Sequence, residues 1–296
     1  MQYVTKPTNS LTQNIRRIPV LGPVILQPLG ALGFVIVLVF ILTTIFAPWI
    51  ATYDPLKQDI KQLLKPPSQQ HFLGTDYLGR DLYSRMVYGS RIAIMAAIPA
   101  ISMALIGGLS LGLLAGYVGG RVDNIILVIL DSIQAFPGLI LALAILALLG
   151  PSFWNVIFVI GLAFIPGYAR VTRAQVLSVK KNDYIEAELN LGASTARIIL
   201  MHILPNILGP LAILVAMDIP VVITFEAGLS FIGLGVQPPN PSWGVILSDG
   251  FKYINRSPYP ILWAGLALMI TTLGFTLFGE TLRDVLDPRL SGTRGL

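Results

Sequence analysis

The chain has 296 residues, of which 54% are hydrophobic and only 12% are charged, with a formal net charge of +5. Soluble domains carry about 25% charged residues, so this composition and the mean hydropathy of +0.75 exclude an ordinary soluble domain and indicate a polytopic all-α membrane protein. The absence of cysteine excludes disulfides and thiol catalysis, and His71 and His202 lie too far apart to predict a metal site. We attribute the positive charge to cytoplasmic loops and predict no nucleic-acid partner.

Long uncharged stretches predict six transmembrane helices. A spanning helix needs about 20 apolar residues, and the uncharged stretch at 132–169 is too long for one crossing. Gly150-Pro151-Ser152 predict a break that makes this stretch a helical hairpin. The predicted segments are a cytoplasmic N-terminal segment at 1–28, span one at 29–51, an extracytoplasmic loop at 52–91, span two at 92–120, span three at 124–149, span four at 152–172, a cytoplasmic loop at 173–205, span five at 206–231, an extracytoplasmic loop at 232–260, span six at 261–279 and a cytoplasmic tail at 280–296.

The distribution of Lys and Arg predicts that both termini are cytoplasmic. Six spans place the termini on one side, and the positive-inside rule assigns the side richer in Lys and Arg to the cytoplasm. With the N-terminus inside, the inner segments hold the majority of the 20 Lys and Arg residues. Arg16 and Arg17 precede an apolar run, as in a signal peptide. That run is too long and no Ala-x-Ala site follows it, so we expect no cleavage.

A polar, helix-forming insert at 184–206 lies between two long apolar blocks. It adds nothing to stability in the bilayer but suits docking to a soluble partner, and it predicts two short helices over 185–203. Gly192 predicts a left-handed turn between them, and Ser194 predicts the N-cap of the second. One apolar stripe is predicted at helical spacing, formed by Ile185, Leu189, Ala193, Ala196 and Ile199 or Leu200. An amphipathic helix that only anchors the loop at the membrane surface is the alternative.

The insert resembles the cytoplasmic EAA loop of ABC importer permeases. The matching residues are Glu186-Ala187, Gly192 and Leu204-Pro205. The third position of that pattern, usually Ala, is Glu188 here. Three further segments are similar to dipeptide/oligopeptide permeases of the DppC/OppC type, namely 71–91 (HFLGTDYLGRDLYSRMVYGSR), 226–244 (EAGLSFIGLGVQPPNPSWG) and 279–289 (GETLRDVLDPR). The likeness covers roughly residues 30–292.

The resemblance implies a type I ABC importer permease fold in the cell inner membrane. It implies four partners besides lipid: a homologous second permease chain, two ATP-binding subunits and an extracytoplasmic substrate-binding protein. ATP and Mg would be bound by the partner subunits, because this chain lacks a Gly-x-x-x-x-Gly-Lys-Ser/Thr phosphate loop and is not expected to be an enzyme. The residues implied in coupling to the ATPase are Glu186, Ala187, Gly192, Ala193, Ser194, Arg197, Leu204 and Pro205.

Three acidic residues fall within or beside predicted spans. An ionisable group at membrane depth costs on the order of 2.5–3.5 kcal/mol on insertion scales, so it normally faces protein or water. Asp218 and Glu226 are candidate pore-lining residues that would meet the charged amino end of a peptide. The alternative is a structural hydrogen bond or ion pair, which we favour for Asp131 and Glu226. Pro220 opens the helix next to Asp218 and keeps both interpretations open there.

The outer loops and the competing functions complete the sequence-based expectations. The proline-rich stretch at 237–260 is either a contact for a binding protein or a cap that packs on the bundle. Arg80, Asp81 and Arg85 predict an ion-paired surface helix or a contact of the same kind.

An ion-coupled secondary transporter is the alternative function, but many such folds contain internal repeats and none is visible. A membrane enzyme is the second alternative, and no nucleophile, metal cluster or acid–base pair supports it.

Overall fold

The structure is a computed structural model that describes residues 21–286. The predictions for residues 1–20 and 287–296, which include Arg16, Arg17 and the end of the tail, lie outside the described residues. The described part contains no strand, only one isolated bridge between Thr75 and Asp81, and so the predicted all-α fold is confirmed. Its helices are α1 (Leu21–Ile25), α2 (Pro28–Ile50), α3 (Leu82–Val118), α4 (Gly120–Gln134), α5 (Gly138–Leu149), α6 (Phe153–Lys180), α7 (Asp183–Asn190), α8 (Thr195–Ile232), α9 (Trp243–Lys252) and α10 (Tyr259–Leu286).

Five helices are long and apolar enough to cross a membrane, namely α2, α3, α6, α8 and α10. The bent pair α4–α5, whose halves meet at 86°, gives a sixth crossing if the pair counts as one span. A bend of this size is explained by the sequence, because Pro137 lacks a backbone N–H and restricts the residue before it. The stretch predicted as one straight span at 124–149 is therefore two helices joined by residues 135–137.

Several helices extend beyond the predicted apolar spans. Helix α3 begins at Leu82 instead of residue 92, because the Asp81 side chain caps it by accepting a hydrogen bond from the Ser84 N–H at 2.8 Å. Helix α6 continues to Lys180 instead of 172, and α10 reaches Leu286 instead of 279. A helix keeps its backbone hydrogen bonds in water as well as in lipid, so its end is set by capping and turn residues and not by the edge of the apolar stretch.

The close contact between α3 and α6 forms the centre of the bundle. The α3 side of this contact is a stripe of small residues spaced four apart, namely Ala100, Ala104, Gly108, Gly112 and Gly116. A Cβ atom at Gly108 would overlap the Cβ of Tyr168, and one at Gly112 would lie 2.5 Å from the Ala169 carbonyl oxygen. Small residues allow helix backbones to approach closely in membranes, where packing replaces the hydrophobic effect as the driving force.

The segment between α2 and α3 folds over the outer end of α3 around buried charges. Arg80 and Arg85 are only 2% and 1% exposed, and both pair with Asp76, at 2.6 Å and 3.3 Å from its Oδ2. Asp249 of α9 lies 3.8 Å from the Arg80 guanidinium, and burial raises the pKa of its carboxyl group. The expectation of a surface helix at Arg80 and Arg85 is therefore wrong, because each guanidinium is buried against carboxylates.

Helix α9 caps the outer end of the bundle. Trp243 is buried and its Nε1 donates a hydrogen bond to the Met86 carbonyl at 2.9 Å. The adjoining Gly244 packs so closely on α8 that a side chain there would overlap the Ala227 carbonyl. Of the two interpretations of residues 237–260, the structure has this stretch packing on the bundle, with Phe251 and Lys252 at its exposed edge.

We expect Gly108→Ala to destabilise the protein, because the added methyl group overlaps Tyr168. Overpacking of this kind costs about 1–3 kcal/mol. The matched control is Gly167→Ala on α6, where no atom lies within 4 Å of an added Cβ and helix propensity favours Ala by about 1 kcal/mol. Thermal unfolding of the purified protein in detergent measures both. Equal melting temperatures for the two variants would contradict the close α3–α6 contact.

Candidate functional site

The long helix α6 carries the polar insert at its end. The Lys180 ammonium donates a hydrogen bond to the Tyr117 carbonyl at 2.7 Å and lies 5.1 Å from the centre of the Tyr117 ring. This contact joins the last turn of α6 to the last turn of α3. Helix α7 follows after two residues and turns its buried Ile185 toward the bundle. We call residues 183–205 the coupling segment.

Gly192 forms the elbow of the coupling segment. Its φ of +82° lies in the left-handed region, which favours glycine. The Gly192 N–H donates to the Leu189 carbonyl and the Ala193 N–H to the Glu188 carbonyl, both at 3.0 Å, the pattern of a Schellman helix end. No atom lies within 4 Å of a Cβ added at Gly192, so the backbone angle, and not crowding, requires glycine there.

Helix α8 begins in the coupling segment and continues across the membrane. The Ser194 hydroxyl accepts a hydrogen bond from the Arg197 N–H at 3.4 Å and caps its first turn. Residues Ile198–Ile203 then form a π-helical stretch, in which the Leu204 N–H donates to the Ile199 carbonyl. Pro205 has no N–H for the regular α-helical bond to residue 201, and the wider turn before it absorbs this loss. The sequence predicted that span five begins at residue 206. The helix instead begins earlier, within the coupling segment, and continues through this position.

The coupling segment exposes apolar side chains around the elbow. Leu191, Leu200 and Met201 are 85%, 61% and 66% exposed. Ile185, Ile198 and Ile203 are buried instead. The prediction of a single apolar stripe is wrong, because Ile185 is buried whereas Leu189 on the same helix and Ala196 beyond the elbow are exposed. Six of the eight predicted coupling residues are exposed as well, namely Glu186, Ala187, Gly192, Ser194, Arg197 and Pro205, whereas Ala193 and Leu204 are half-buried.

Two ion pairs join α4 to α6. The Arg173 guanidinium binds Asp123 with two hydrogen bonds of 2.5 Å, and Arg170 binds Asp131 at 2.5 Å. The second pair is unusually open, since its side chains are 45% and 62% exposed. Asp131 thus has the structural partner that the sequence favoured. The partner itself was missed, because residues 131 and 170 are far apart in sequence and neither follows a recognisable spacing.

Asp218 lies half-buried on α8, in the middle of the crossing. Its polar neighbour is Tyr168 of α6, whose side chain is buried. Pro220 follows within the same helix, and the Thr224 hydroxyl donates a hydrogen bond to the Pro220 carbonyl at 2.8 Å. Asp218 therefore belongs to a polar strip that α8 and α6 share, one face of which remains accessible.

Glu226 has a different environment from Asp218. It is 1% exposed and accepts a hydrogen bond from the Ser230 hydroxyl at 2.6 Å. The same hydroxyl accepts from the Val236 N–H at 2.9 Å, and Ser242 at the N-cap of α9 lies beside the carboxyl group. Glu226 joins α8 to the outer cap, which favours the structural interpretation over the pore-lining one.

The break between α4 and α5 is the feature that the sequence-based spans missed. Residues 134–138 are all exposed, and no acceptor within residues 21–286 takes the N–H groups of Gly138 and Leu139. A cavity of about 390 Å³ adjoins the break and is lined partly by Phe136 and Ala163. Pro137 in an uncharged stretch was the available signal. Within the described residues no group of three or more His, Asp or Glu is arranged to hold a metal ion.

Comparison with known families gives two matches along the chain. The family model described as the inner membrane component of binding-protein-dependent transport systems matches residues 108–292. The model of the N-terminal transmembrane domain of oligopeptide transport permease C matches residues 27–67. The two matches do not overlap and together extend from α2 to the tail.

Individual relatives are similar over nearly the whole chain. The probable D,D-dipeptide transport system permease protein of Escherichia coli (strain K12) is 41% identical over 266 residues, which cover 90% of this chain and 89% of that protein. A dipeptide transport system permease protein of Alkalihalophilus pseudofirmus is 39% identical, over 88% and 86%. A glutathione transport system permease protein of Pectobacterium atrosepticum is 39% identical, over 86% and 85%.

The structural role of Glu226 predicts different results for two substitutions. Glu226→Gln keeps an acceptor for Ser230, so we expect thermal stability and solute uptake close to those of the unmodified protein. Glu226→Leu leaves the buried Ser230 hydroxyl without its acceptor, which costs about 1–3 kcal/mol. Thermal unfolding in detergent and uptake into proteoliposomes measure the two effects. A stably folded Glu226→Gln protein that no longer transports would instead assign Glu226 to the pore.

Proposed function

The chain belongs to the family of inner-membrane components of binding-protein-dependent transport systems, and from this membership we propose that it forms half of the pore of an ATP-driven importer of di- or oligopeptides or a related small solute. It is a permease component and not an enzyme, and nothing in the family assignment supports the ion-coupled alternative. The names of its relatives, which include dipeptide, peptide and glutathione permeases, support a short peptide or a peptide-like solute as the cargo.

The exposed apolar surface at the elbow is the observation that carries the coupling role. Leu191, Leu200 and Met201 leave their side chains uncovered around the elbow, and uncovered apolar patches outside lipid mark interaction sites. We infer that this surface docks an ATP-binding subunit, which supplies ATP and Mg. Helix α8 runs without interruption from the elbow through the crossing, so a displacement of the elbow reaches Asp218 through one rigid element.

The broken span α4–α5 supports a place for the translocation path. Non-helical backbone at membrane depth is tolerated only where protein covers it or where it lines water, and residues 134–138 are uncovered in this chain. The exposed Arg170–Asp131 ion pair joins α4, the first half of this broken span, to α6. We propose that this face and Asp218 line an aqueous path shared with a homologous second permease chain.

The remaining partners follow from the same proposal. An extracytoplasmic substrate-binding protein would deliver the solute to the surface formed by residues 52–81 and the exposed edge of α9. A second ATP-binding subunit would dock on the second permease. Both termini would then be cytoplasmic, as the distribution of Lys and Arg predicts, and the coupling segment would lie on the side where ATP is available.

Single-cysteine variants test the docking proposal cleanly, because the natural chain has no cysteine. We expect a cysteine at Leu191 or Met201 to cross-link to an ATP-binding subunit in membranes of cells that contain the whole transporter. A cysteine at Ile60, which is 81% exposed in the proposed outer surface, is the control and should capture no ATP-binding subunit. Uptake into vesicles that lack any ATP-binding subunit, together with absent cross-links, would remove the proposed function.

Asp218→Asn tests the pore-lining role. We expect assembly to remain intact, because the substitution preserves size, and uptake of a cationic-amine dipeptide such as dialanine to fall about tenfold, because the charge that would meet its amino group is lost. Co-purification of the partner subunits controls for assembly. Unchanged uptake by the assembled variant would end the pore-lining interpretation of Asp218.

A further inference from the structure

Glu188 occupies a central position in the coupling segment. Its backbone carbonyl accepts the elbow hydrogen bond from Ala193, and its side chain, which is 28% exposed, reaches across the elbow to the start of α8. There its carboxylate lies 3.6 Å from the Nε2 atom of His202 and 3.8 Å from the Nε atom of Arg197. One residue of α7 thus contacts two residues of α8 on the far side of the turn.

Among residues 21–286, Glu188 is the acidic residue that lies close to the His202 ring nitrogen. Its Nε2 atom is shielded from solvent and has no hydrogen-bond partner within residues 21–286, so the Glu188 carboxylate is the ion-pair partner that the structure offers it. Its ring lies 6.1 Å from that of Tyr184 on α7, and the Asn206 side chain donates to its carbonyl at 2.6 Å. His202 lies in the π-helical stretch Ile198–Ile203, whose wider turn changes the direction in which side chains leave the helix.

We propose that Glu188 and His202 form a clasp that fixes the angle between α7 and α8, with Arg197 as its second contact. This inference rests on the proposed coupling role of the segment and names the positioning residues within it. The elbow backbone at Gly192 is a flexible joint on its own, because glycine has the fewest conformational restrictions. The clasp closes that joint on the opposite side, so a displacement of α7 moves α8 instead of only bending the turn.

The interactions of the clasp are strong enough to adjust the angle between α7 and α8 but too weak to determine whether the chain folds. The side chains of Glu188 and His202 are 28% and 25% exposed and that of Arg197 is 59% exposed, and ion pairs of this exposure change an equilibrium by a factor of a few at most. Removal of the clasp should therefore leave the chain folded and the ATP-binding subunits attached. It should reduce the solute moved for each ATP hydrolysed, because part of each displacement is lost in the elbow.

A double-mutant cycle in the whole transporter tests the clasp. Glu188→Ala, His202→Leu and the double variant are reconstituted with the partner subunits, and labelled dialanine uptake and ATP hydrolysis are measured together. We expect each single variant to lower the ratio of dialanine transported to ATP hydrolysed by about threefold. The double variant should be no lower than the poorer single one, because both changes remove the same interaction.

Two further variants complete the cycle. Exchange of the partners, in Glu188→His with His202→Glu, should recover at least half of the lost ratio. Glu280→Gln removes an exposed carboxylate on α10, outside the coupling segment, that has no ion-pair partner among the described residues, and it should leave the ratio unchanged.

The outcomes separate the clasp from the proposed function. A double variant reduced by the product of the single effects would overturn the clasp and assign Glu188 to a separate contact, such as one with the ATP-binding subunit. Single variants that match the unmodified transporter would overturn it as well. A different result, in which the unmodified transporter takes up no dialanine in response to ATP, would remove the proposed function, and the clasp with it, whatever the variants show.

Discussion

The close approach of α3 and α6 is the constraint on which the rest of the structure depends. Gly108, Gly112 and Gly116 bring the two backbones so near that no side chain fits between them. Such a contact leaves little freedom for one helix to move without the other, because packed interfaces do not deform continuously. The coupling segment follows from the end of α6, and the segment between α2 and α3 folds over the start of α3. Both functional surfaces are therefore attached to the same rigid pair.

The chain combines long continuous helices with a few positions at which the backbone leaves helical geometry. Helix α8 is continuous from Thr195 to Ile232 despite Pro205, Pro210 and Pro220, and under the proposed function it would transmit displacement as one element. The backbone leaves helical geometry at the elbow around Gly192 and at the break at 135–137. Both points lie next to surfaces that this chain leaves uncovered. A permease that works with partners needs this arrangement, because its moving parts have to face the subunits that drive or complete it.

The sequence predicted the general architecture well and the polar contacts poorly. Hydropathy identified the five long apolar helices, and the glycine at 192 and the serine at 194 predicted the turn and the cap, because these signals are local. The pairs Arg170–Asp131 and Arg173–Asp123 were missed, because they depend on which faces of α4 and α6 meet. The apolar stripe predicted across the two short helices of the insert failed, because Leu189 is exposed although Ile185 on the same helix is buried. The burial of Arg80 and Arg85 was likewise invisible, since a charge pattern does not reveal what covers it.

The length of α3 has a consequence for communication across the membrane. Its 37 residues span roughly 55 Å at 1.5 Å per residue, well beyond a hydrocarbon core of about 30 Å. One end touches Lys180 beside the coupling segment, and the other carries Arg85 beneath the outer loop. A helix that contacts both surfaces would couple them in both directions, since thermodynamic linkage is reciprocal. Under the proposed function, nucleotide binding by a partner at one end of α3 and docking of a partner at the other end would act on the same helix.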